Sequence, residues 1–315
     1  MKKIYAVVVT YNRKDLLIEC INSILNQSIC VTKILIIDNN STDGTYEKLK
    51  TEEIIENKKV EYIKLEKNIG GAGGFNFGIK RAIELKSDWV WVMDDDTIPN
   101  VTCLEELVNA KNIIPEEISY LASNVRGINN EPMNVPGLNT DSSLNGYPDW
   151  YRYLSDGIVK IKEATFVSLL INSKAIKQIG LPCKDYFIWG DDTEYTLRLT
   201  NFYSNAYFVG KSIAIHKRVN SKSLSLKEEK NNNRLKFHYY MIRNNLINMK
   251  EYHGKRSCLR FMLKKQLESF NILFSKKCNN RFKKFIVIHK GILAFIFKKY
   301  DYKSFKNRFK LTSDD

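Results

Sequence analysis

The first third of the chain alternates short apolar runs with amphipathic stretches. Ile4–Val9 is a continuous β-branched run, which predicts a strand buried on both faces. Apolar residues then recur at helical spacing over Leu16–Leu25, with Asn12 and Asp15 placed to cap the start of a helix. The next apolar run is Ile34–Ile37. Strand, helix and strand in this order predict a parallel crossover unit.

Two further apolar runs, Val60–Leu65 and Trp89–Met93, predict a third and a fourth strand. Between them, the glycine-rich segment 68–74 leads into a helical pattern that ends near Leu85. Three of the strands in this part stop at polar or acidic loops. Because ligands bind at the carboxyl edge of the strands in an open α/β sheet, the pattern predicts an α/β fold with its ligand site at that edge.

The pattern changes in the second part of the chain. Residues 127–157 are polar and show no period, and a loop of this length usually has a function. Beyond residue 230 the pattern is helical, so we divide the chain into an α/β domain, residues 1–230, and a helical C-terminal region, residues 231–315. The elements predicted between the loop and the C-terminal region are a strand at Ala164–Ile171, a short helix at Ser173–Ile179 stopped by Gly180 and Pro182, a helix from Asp191 through Arg198, and a strand at Ser212–Ile215 that leads to His216.

The composition is that of an ordinary globular protein. Of the 315 residues, 43% are hydrophobic and 27% are charged, and no period of about 20–50 residues repeats. The formal charge of +15 is concentrated near one end, where residues 251–310 carry 17 Lys and Arg against 3 Asp and Glu. Such a segment is typical of a protein that meets an anionic partner, either a membrane surface or a nucleic acid. The alternative is a packed helical tail with a solvated basic face.

The cysteines and the apolar stretches indicate the cellular compartment of the protein. The six cysteines are scattered without a C-x-x-C pair, and no basic-then-apolar leader precedes Ile4. These two features predict a reducing, cytoplasmic environment. The most apolar stretch, Phe285–Phe297, has about 13 residues and is interrupted by His289 and Lys290, whereas a membrane span needs about 20. We therefore expect no integral membrane segment.

An acidic triplet, Asp94, Asp95 and Asp96, directly follows the fourth predicted strand. Three like charges in a small volume raise one another's pKa unless a cation neutralises them. Aspartates two positions apart can point the same way from an extended segment, and their hard oxygen ligands suit Mg²⁺ or Mn²⁺. The alternative is a solvated acidic turn. His216 ends a later strand and could add an imidazole to such a metal site, or be an ordinary packed histidine.

Two further segments are candidate ligand contacts. The glycines of segment 68–74 permit close backbone approach to a ligand, although the run lacks a Walker lysine and does not match the dinucleotide fingerprint; a flexible turn is the alternative. Trp189 precedes Asp191, Asp192 and Glu194 at the start of a predicted helix. A carboxylate there could act as a general base toward a sugar hydroxyl, with the indole as a platform. Helix capping explains the same carboxylates.

Four motifs, in their order and spacing, resemble the family 2 inverting glycosyltransferases, which have the nucleotide-binding GT-A fold. The motifs are Val7–Arg13, Ile37–Thr45, Asn68–Gly74 and Asp94–Asp96. The likeness covers about residues 4–250. It implies a GT-A, Rossmann-like, mixed and mainly parallel sheet flanked by helices, with the basic helical region as a C-terminal appendage.

Within that family the chain is most similar to galactofuranosyltransferases, with rhamnosyltransferases close by. The likeness includes the full glycine run, the three-aspartate form, the W-x-D-D-x-E-Y block, the later histidine and the segment Tyr239–Asn244. It implies a nucleotide site, a Mn²⁺ or Mg²⁺ site, an acceptor site and a general base. The matching residues are Thr10, Tyr11, Arg13, Asp38, Asn68 and Asp95 for the nucleotide, Asp94, Asp96 and His216 for the metal, Trp189, Asp191 and Glu194 for the acceptor, and Asp192 for the base.

The resemblance implies inverting transfer of galactofuranose from UDP-galactofuranose to a saccharide acceptor on a polyprenyl lipid, in cell-surface polysaccharide synthesis. Because the chain is shorter than the large polymerising relatives, we expect addition of single residues or short runs. The basic C-terminal region would then hold the enzyme peripherally on the inner face of the cell membrane. Whether the protein forms a homo-oligomer stays an open question.

Three alternatives stay open beside this interpretation. One is a rhamnosyltransferase that uses dTDP-rhamnose, and another is a sugar-binding scaffold without activity, which the intact acidic set disfavours. The third is a basic nucleic-acid-binding protein. No recognition helix, zinc pattern or aromatic RNA-binding motif supports it, so we expect no nucleic-acid partner.

Overall fold

The computed structural model describes residues 2–218 and 225–298. Within these ranges the chain forms one ten-stranded mixed sheet, with helices on both faces and three further helices after it. The strands are β1 (Ile4–Thr10), β2 (Lys33–Asp38), β3 (Val60–Lys64), β4 (Trp89–Asp94), β5 (Thr97–Pro99), β6 (Tyr120–Arg126), β7 (Gly137–Leu138), β8 (Ile158–Glu163), β9 (Leu169–Asn172) and β10 (Ala206–His216). The helices are α1 (Lys14–Leu25), α2 (Thr45–Thr51), α3 (Gly70–Glu84), α4 (Cys103–Ile113), α5 (Ser173–Ile179), α6 (Asp191–Phe202), α7 (Asn232–Tyr252), α8 (Gly254–Phe274) and α9 (Arg281–Ile296).

The strand order in the sheet is β3-β2-β1-β4-β9-β6-β10-β8-β7, and β5 pairs with β10. The first four strands of this order are parallel, which confirms the crossover predicted for the first third of the chain. Strand β9 is antiparallel to both β4 and β6, so the sheet becomes mixed beyond its centre. The register sets Thr10 beside Asp38 and Val9 beside Asp94. The carboxyl ends of β2, β1 and β4 therefore lie side by side.

Apolar side chains cover both faces of the sheet, as the continuous apolar runs predict. Along β1, Ala6 and Val8 face one cluster, whereas Val7 and Val9 face the other. The first cluster includes residues of α1 and α4, and the second includes residues of α3, α5 and α6. Parallel strands need such cover on both faces. The buried core therefore gives the carboxyl edge of the sheet a rigid base.

The glycine run of segment 68–74 forms the first turns of α3 rather than a flexible turn. A Cβ on Gly74 would lie 2.6 Å from a methyl group of Val9. One on Gly78 would lie 2.4 Å from a methyl group of Val7. Any larger residue at these two positions would push α3 away from β1. These glycines are therefore explained by close contact between helix and sheet.

The predicted strand Ala164–Ile171 is confirmed only at Leu169–Ile171, and residues 164–168 are not strand. Strand β8 ends at Glu163 and β9 begins at Leu169, and the two strands pair with different neighbours. The chain between them includes Ser168, which has a left-handed φ of +56° and whose hydroxyl accepts a hydrogen bond from Nε1 of Trp91 at 3.1 Å. Because most of the connecting residues are buried as well, the apolar pattern does not show the break.

The start of α1 also differs from the prediction, because neither Asn12 nor Asp15 caps it. Asn12 has a φ of +54°, and its Oδ1 accepts a hydrogen bond from the backbone N–H of Thr42 at 2.8 Å. The backbone N–H of Lys14, in the first turn of α1, instead donates to Oδ2 of Asp43 at 3.2 Å. These bonds join the loops after β1 and β2 at the carboxyl edge.

Helices α7, α8 and α9 pack around a separate apolar cluster. Its buried members include Leu246 of α7, Ile272 of α8 and Ile288 of α9. Helix α7 also contacts α6, so the C-terminal helices adjoin the sheet domain. Among the helices described, none has the combined length and hydropathy that crossing a bilayer requires.

Candidate active site

Asp94, Asp96 and His216 meet at the carboxyl edge of the sheet. One ligand atom from each lies within 4.8 Å of the others, and no second group of this kind occurs in residues 2–218 and 225–298. Nε2 of His216 lies 3.0 Å from Oδ1 of Asp96. Strand β5 begins directly after Asp96, and its antiparallel pairing with β10 sets His216 opposite Thr97. The structure thus brings together the three residues predicted as metal ligands.

Asn134 orients the imidazole of His216. Its Oδ1 lies 2.8 Å from Nδ1 of His216, and its Nδ2 donates to Oγ1 of Thr165 at 3.1 Å. With Nδ1–H donating to Asn134, Nε2 can donate to Asp96 when the ring is protonated, or offer its lone pair to a metal ion when the ring is neutral. Asn134 belongs to loop 127–157. The length of this loop indicates a function, but the sequence does not single out Asn134.

Burial and charge perturb the two aspartates of this group in opposite directions. Burial, with the neighbouring charge of Asp96, raises the pKa of Asp94 to about 8. Burial also opposes ionisation of Asp96, but the hydrogen bond and charge of His216, with the guanidinium of Arg13, lower the pKa of Asp96 below its ordinary value. Crowded carboxylates of this kind are stabilised by a further cation. Two carboxylates and an imidazole form a donor set that fits Mn²⁺ or Mg²⁺.

The third aspartate of the triplet, Asp95, is held by β1 and its loop. Oγ1 of Thr10 donates to Oδ2 of Asp95 at 2.7 Å. Nη1 of Arg13 lies 3.3 Å from Oδ1 of Asp95 and 2.5 Å from Oδ2 of Asp96. The Arg13 side chain is 49% exposed, so part of its guanidinium is open to a ligand. Thr10, Arg13 and Asp95 therefore form one network beside the metal-binding group.

The other predicted nucleotide contacts surround this network. Asp38 is buried at the end of β2, where one carboxylate oxygen accepts from the backbone N–H of Ser41 at 2.7 Å and the other accepts from the hydroxyl of Tyr62. Oδ1 of Asn68 accepts from the first backbone N–H of α3 at 2.8 Å. Tyr11 is exposed after β1. Asp38 and Asn68 thus stabilise loops at this edge, and their contacts with a nucleotide stay predictions.

The four residues that precede α6, here called the α6 loop, form the second side of the site. Phe187, Trp189 and Gly190 have left-handed φ angles of +63°, +62° and +91°. In non-glycine residues such angles cost roughly 1–3 kcal/mol each, so the surroundings must enforce them. The carbonyl of Phe187 accepts from the backbone N–H of Ala72 at 3.1 Å. Gly70 makes room for this contact, because a Cβ there would lie 2.0 Å from the same carbonyl oxygen.

Helix α7 holds the α6 loop from outside. Nδ2 of Asn244 lies within hydrogen-bond distance of three backbone carbonyls in or next to the loop. They belong to Tyr186, Ile188 and Trp189, at 3.0, 3.2 and 2.7 Å. Nδ2 of Asn248 donates to the carbonyl of Gly190 at 2.9 Å. The C-terminal region that the sequence set apart at residue 231 therefore contributes to the site.

Asp191 and Asp192 open α6 directly after this loop. Burial raises the pKa of Asp192 to about 6, and the charge of Glu163 adds to the rise. Burial and the charge of Asp192 raise the pKa of Asp191 to about 8. Asp192 is also the more exposed of the two, and its Oδ1 accepts from the backbone N–H of Thr193 at 2.7 Å. Asp192 is thus the member of the pair with the smaller rise in pKa, and it is the one open to a ligand.

Glu194 is fully buried. Its carboxylate accepts two hydrogen bonds from Arg198, both at 3.0 Å, and one from the hydroxyl of Tyr252 at 2.7 Å. Arg198 also donates to the carbonyls of Ile179 and Leu181. Glu194 therefore fixes α6 to α7 and to the segment after α5. Any effect of Glu194 on acceptor binding would therefore be indirect, through the position of α6.

Hydrogen bonds connect the two sides of the site. Asn134, which orients the imidazole, bonds to Thr165. The adjacent residue, Ala164, bonds through its backbone N–H and its carbonyl to Oγ1 of Thr196, at 3.2 and 3.1 Å. The same Oγ1 lies 2.8 Å from the carbonyl of Asp192. The metal-binding group and the first turn of α6 thus belong to one connected structure.

Comparison with known sequences agrees with this geometry. Residues 5–157 match the family described as glycosyl transferase family 2. The galactofuranosyltransferase GlfT1 of Mycolicibacterium smegmatis is 28% identical over 207 residues, which are 62% of this chain. The matched part spans 64% of the length of that relative.

Solved structures share the fold. Residues 1–349 of S. aureus TarS, in complex with UDP-GlcNAc, align over 93% of this chain and 81% of their own, with a TM-score of 0.59 and 17% identity. GalNAc-T7 with UDP, GalNAc and Mn²⁺ aligns over 99% of this chain and 58% of its own, with a TM-score of 0.61 and 16% identity. At these identities the likeness shows the fold alone, and it confirms the predicted GT-A architecture. The sequence matches show a glycosyl transferase family 2 domain over residues 5–157.

Proposed function

We propose that the protein is an inverting, metal-dependent galactofuranosyltransferase that moves galactofuranose from UDP-galactofuranose to a saccharide acceptor in cell-surface polysaccharide synthesis. The observation that carries the proposal is the connection of two sites: the group Asp94, Asp96 and His216, which fits a divalent cation, and Asp192 at the start of α6. The activity in the name of the GlfT1 relative supports the sugar. The UDP-sugar complex of TarS supports UDP as the nucleotide.

The donor side would bind and stabilise the nucleotide diphosphate. A divalent cation held by Asp94, Asp96 and His216 would neutralise the charge that grows on the leaving diphosphate. Because Nε2 of His216 points at Asp96 and Nδ1 at Asn134, this imidazole does not serve as the base. The exposed part of the Arg13 guanidinium is free to contact phosphate oxygens.

The acceptor side would remove the proton. Asp192 accepts it from the acceptor hydroxyl while the oxygen attacks the anomeric carbon from the face opposite the leaving group, so the configuration inverts. A pKa of about 6 keeps Asp192 ionised at neutral pH and raises its basicity above that of an ordinary aspartate. Trp189, on the α6 loop, offers an apolar ring to the face of the acceptor sugar.

A donor comparison tests this proposal. Purified protein with Mn²⁺ and a saccharide acceptor panel is supplied with UDP-galactofuranose or with dTDP-rhamnose, and release of UDP or dTDP is measured. We expect acceptor-dependent release from UDP-galactofuranose. Release from dTDP-rhamnose alone would replace the galactofuranosyl assignment by a rhamnosyl one. Absence of release from both donors, for every acceptor, would contradict the proposed function.

We also propose that α8 and α9 bind an anionic membrane surface, where the cytoplasmic enzyme would meet a lipid-linked acceptor. Large apolar side chains form an exposed stripe at helical spacing along each helix, and basic residues flank both stripes. The stripes consist of Leu259, Leu263, Leu267, Phe270 and Phe274 on α8, and of Phe282, Ile286, Leu293, Ile296 and Phe297 on and just after α9, each at least 48% exposed.

Vesicle sedimentation tests the membrane proposal. The double variant Leu267→Ser, Phe274→Ser is compared with Leu144→Ser, which removes an exposed apolar side chain from the sheet domain. We expect the double variant to bind phosphatidylglycerol vesicles about tenfold or more weakly, because two apolar side chains that would insert into the bilayer are lost. The Leu144→Ser protein should bind as the unaltered protein does. Equal binding by all three proteins would contradict the proposal.

A further inference from the structure

We propose that a cleft between α8 and α9 binds one apolar chain of an anionic phospholipid, with the lysines beside it binding the phosphate. This inference rests on the membrane binding proposed above for the same two helices, and it adds a site for a single lipid molecule. The cleft, here called the α8–α9 cleft, has a volume of about 310 Å³. It lies where the end of α7, the first turns of α8 and the end of α9 meet.

The interior of the α8–α9 cleft is apolar. Its walls include Cys258 and Met262 of α8 and Phe295 of α9. Cys258 is buried, and Met262 and Phe295 pack against the same apolar cluster that joins α7, α8 and α9. Sγ of Cys258 already donates to the carbonyl of Leu246 at 3.5 Å, so the thiol has a polar partner within the protein. The interior therefore suits a hydrocarbon chain.

The cleft is continuous with the two exposed apolar stripes. Leu259, the first member of the α8 stripe, and Ile296, near the end of the α9 stripe, both line it. Each of these side chains is 51% exposed. If the stripes lie on a bilayer, a lipid can therefore keep one chain in the bilayer and place the other in the cleft without exposing either chain to water.

Positive charge surrounds this apolar space. Lys250 near the end of α7, Lys255 in the first turn of α8 and Lys298 just after α9 line the cleft, and none of the described residues that line it is acidic. Nζ of Lys250 lies 6.0 Å from the centre of the Phe295 ring, so this ammonium directly adjoins the apolar wall. An apolar cavity flanked by cations is complementary to an amphiphile with an anionic headgroup. Among membrane lipids, anionic phospholipids have this chemistry.

Charge also distinguishes a lipid from the chain's own C-terminal segment as the occupant. Residues 299–315 lie outside the described residues and follow Lys298 directly. They include apolar residues that could fill a cleft, but they carry 5 Lys and Arg against 3 Asp and Glu. The lysines of the cleft repel a segment of net positive charge and attract a phosphate. The cleft therefore matches the phospholipid better than it matches this segment.

Calorimetric titration with monomeric lipid tests the proposal. Dihexanoyl phosphatidylglycerol, kept below its critical micelle concentration, is titrated into the full chain, so no membrane surface is present. We expect saturable binding of one molecule per chain. Dihexanoyl phosphatidylcholine, which has no net charge, and glycerol phosphate, which has no chains, should each bind about tenfold or more weakly. Equal affinity for phosphatidylglycerol and phosphatidylcholine, or no binding of phosphatidylglycerol, would overturn the inference.

Two variants locate the binding in the cleft. Lys250→Gln combined with Lys255→Gln should weaken phosphatidylglycerol binding about tenfold or more, because two cations beside the phosphate are lost. Met262→Trp should weaken it at least as much, because the larger side chain fills the apolar interior. Lys264→Gln combined with Lys283→Gln is the matched control, since it removes the same charge from exposed positions on α8 and α9. Equal losses in the control pair and in Lys250→Gln, Lys255→Gln would contradict the assignment of the cleft.

Two further measurements separate this inference from its alternatives. Deletion of residues 299–315 should leave phosphatidylglycerol affinity within about threefold, whereas a rise of tenfold or more would show that this segment occupies the cleft and would overturn the inference. The Leu267→Ser, Phe274→Ser protein should keep its affinity for the monomeric lipid, because these residues do not line the cleft. Lipid binding is measured without donor or acceptor, so a failure of the transferase proposal and a failure of this inference are distinguishable.

Discussion

The donor and acceptor sides of the site hold their carboxylates in different ways. On the donor side, Asp95 is bonded by Thr10 and Arg13, and Asp96 faces His216. These partners extend from strand ends that the buried core fixes. On the acceptor side, Asp192 accepts a backbone N–H at the start of a helix, and the loop before it is held in left-handed conformations by the amides of α7.

The difference shows that the two sides depend on different parts of the fold. The donor side depends on the register of the sheet, which is buried on both faces. The acceptor side depends on the contact between the α6 loop and a helix from the C-terminal region. We therefore expect substitutions in the acceptor half to change transfer while nucleotide binding is kept.

The largest effect is expected for Asp192→Asn, which removes the general base. Transfer should fall by about 10²- to 10⁴-fold, the usual contribution of such a group, while UDP affinity stays within about twofold. Initial rates and calorimetry on the same preparation measure both quantities. Asp88→Asn is the control, because Asp88 precedes β4 at the opposite end of the strand. A collapse of UDP affinity in Asp192→Asn would move this residue to the donor side.

A smaller effect is expected for Asn244→Ala, which removes the amide that bonds the α6 loop. Release of the strained loop should misplace Trp189 and Asp192 and lower kcat by about 10- to 100-fold, with UDP affinity unchanged. Asn201→Ala is the control, because the amide of Asn201 bonds within its own helix, to the carbonyl of Leu197. Similar kcat values for both variants would show that the loop does not need α7.

The smallest effect is expected for Glu163→Gln. Transfer needs ionised Asp192, so kcat/KM should fall as the pH falls through about 6, the raised pKa of Asp192. The charge of Glu163 disfavours that ionised form, and its removal should lower the pKa and shift the acidic limb to lower pH by less than about one unit. Profiles of kcat/KM against pH for both proteins measure the shift. A shift to higher pH would contradict the assignment of the base.

The donor side could largely be predicted because its residues lie in short motifs at strand ends. The apolar run Trp89–Met93 predicts the strand that carries Asp94 to the edge, and parallel register then brings Thr10 beside Asp38. The place of His216 could not be derived from pattern, since the strand that pairs with it, β5, has only three residues. Resemblance to a family supplied what the periodicity did not.

The acceptor side could be predicted in less detail because contacts between distant residues determine it. Nothing in the local pattern shows that Asn244 bonds the loop before α6, or that Asn134 orients an imidazole. The apolar pattern predicts one strand over Ala164–Ile171, which conceals the turn at Ser168. It also conceals that Glu163 ends a strand near Asp192.

The proposed mechanism depends on the binding of one divalent cation by Asp94, Asp96 and His216 at the donor diphosphate. Diffraction from crystals grown with UDP and Mn²⁺, measured at the manganese absorption edge, tests it most directly. We expect an anomalous peak within coordination distance of all three side chains and of a phosphate oxygen. Clear density for UDP with the peak elsewhere, or with no peak, would contradict it.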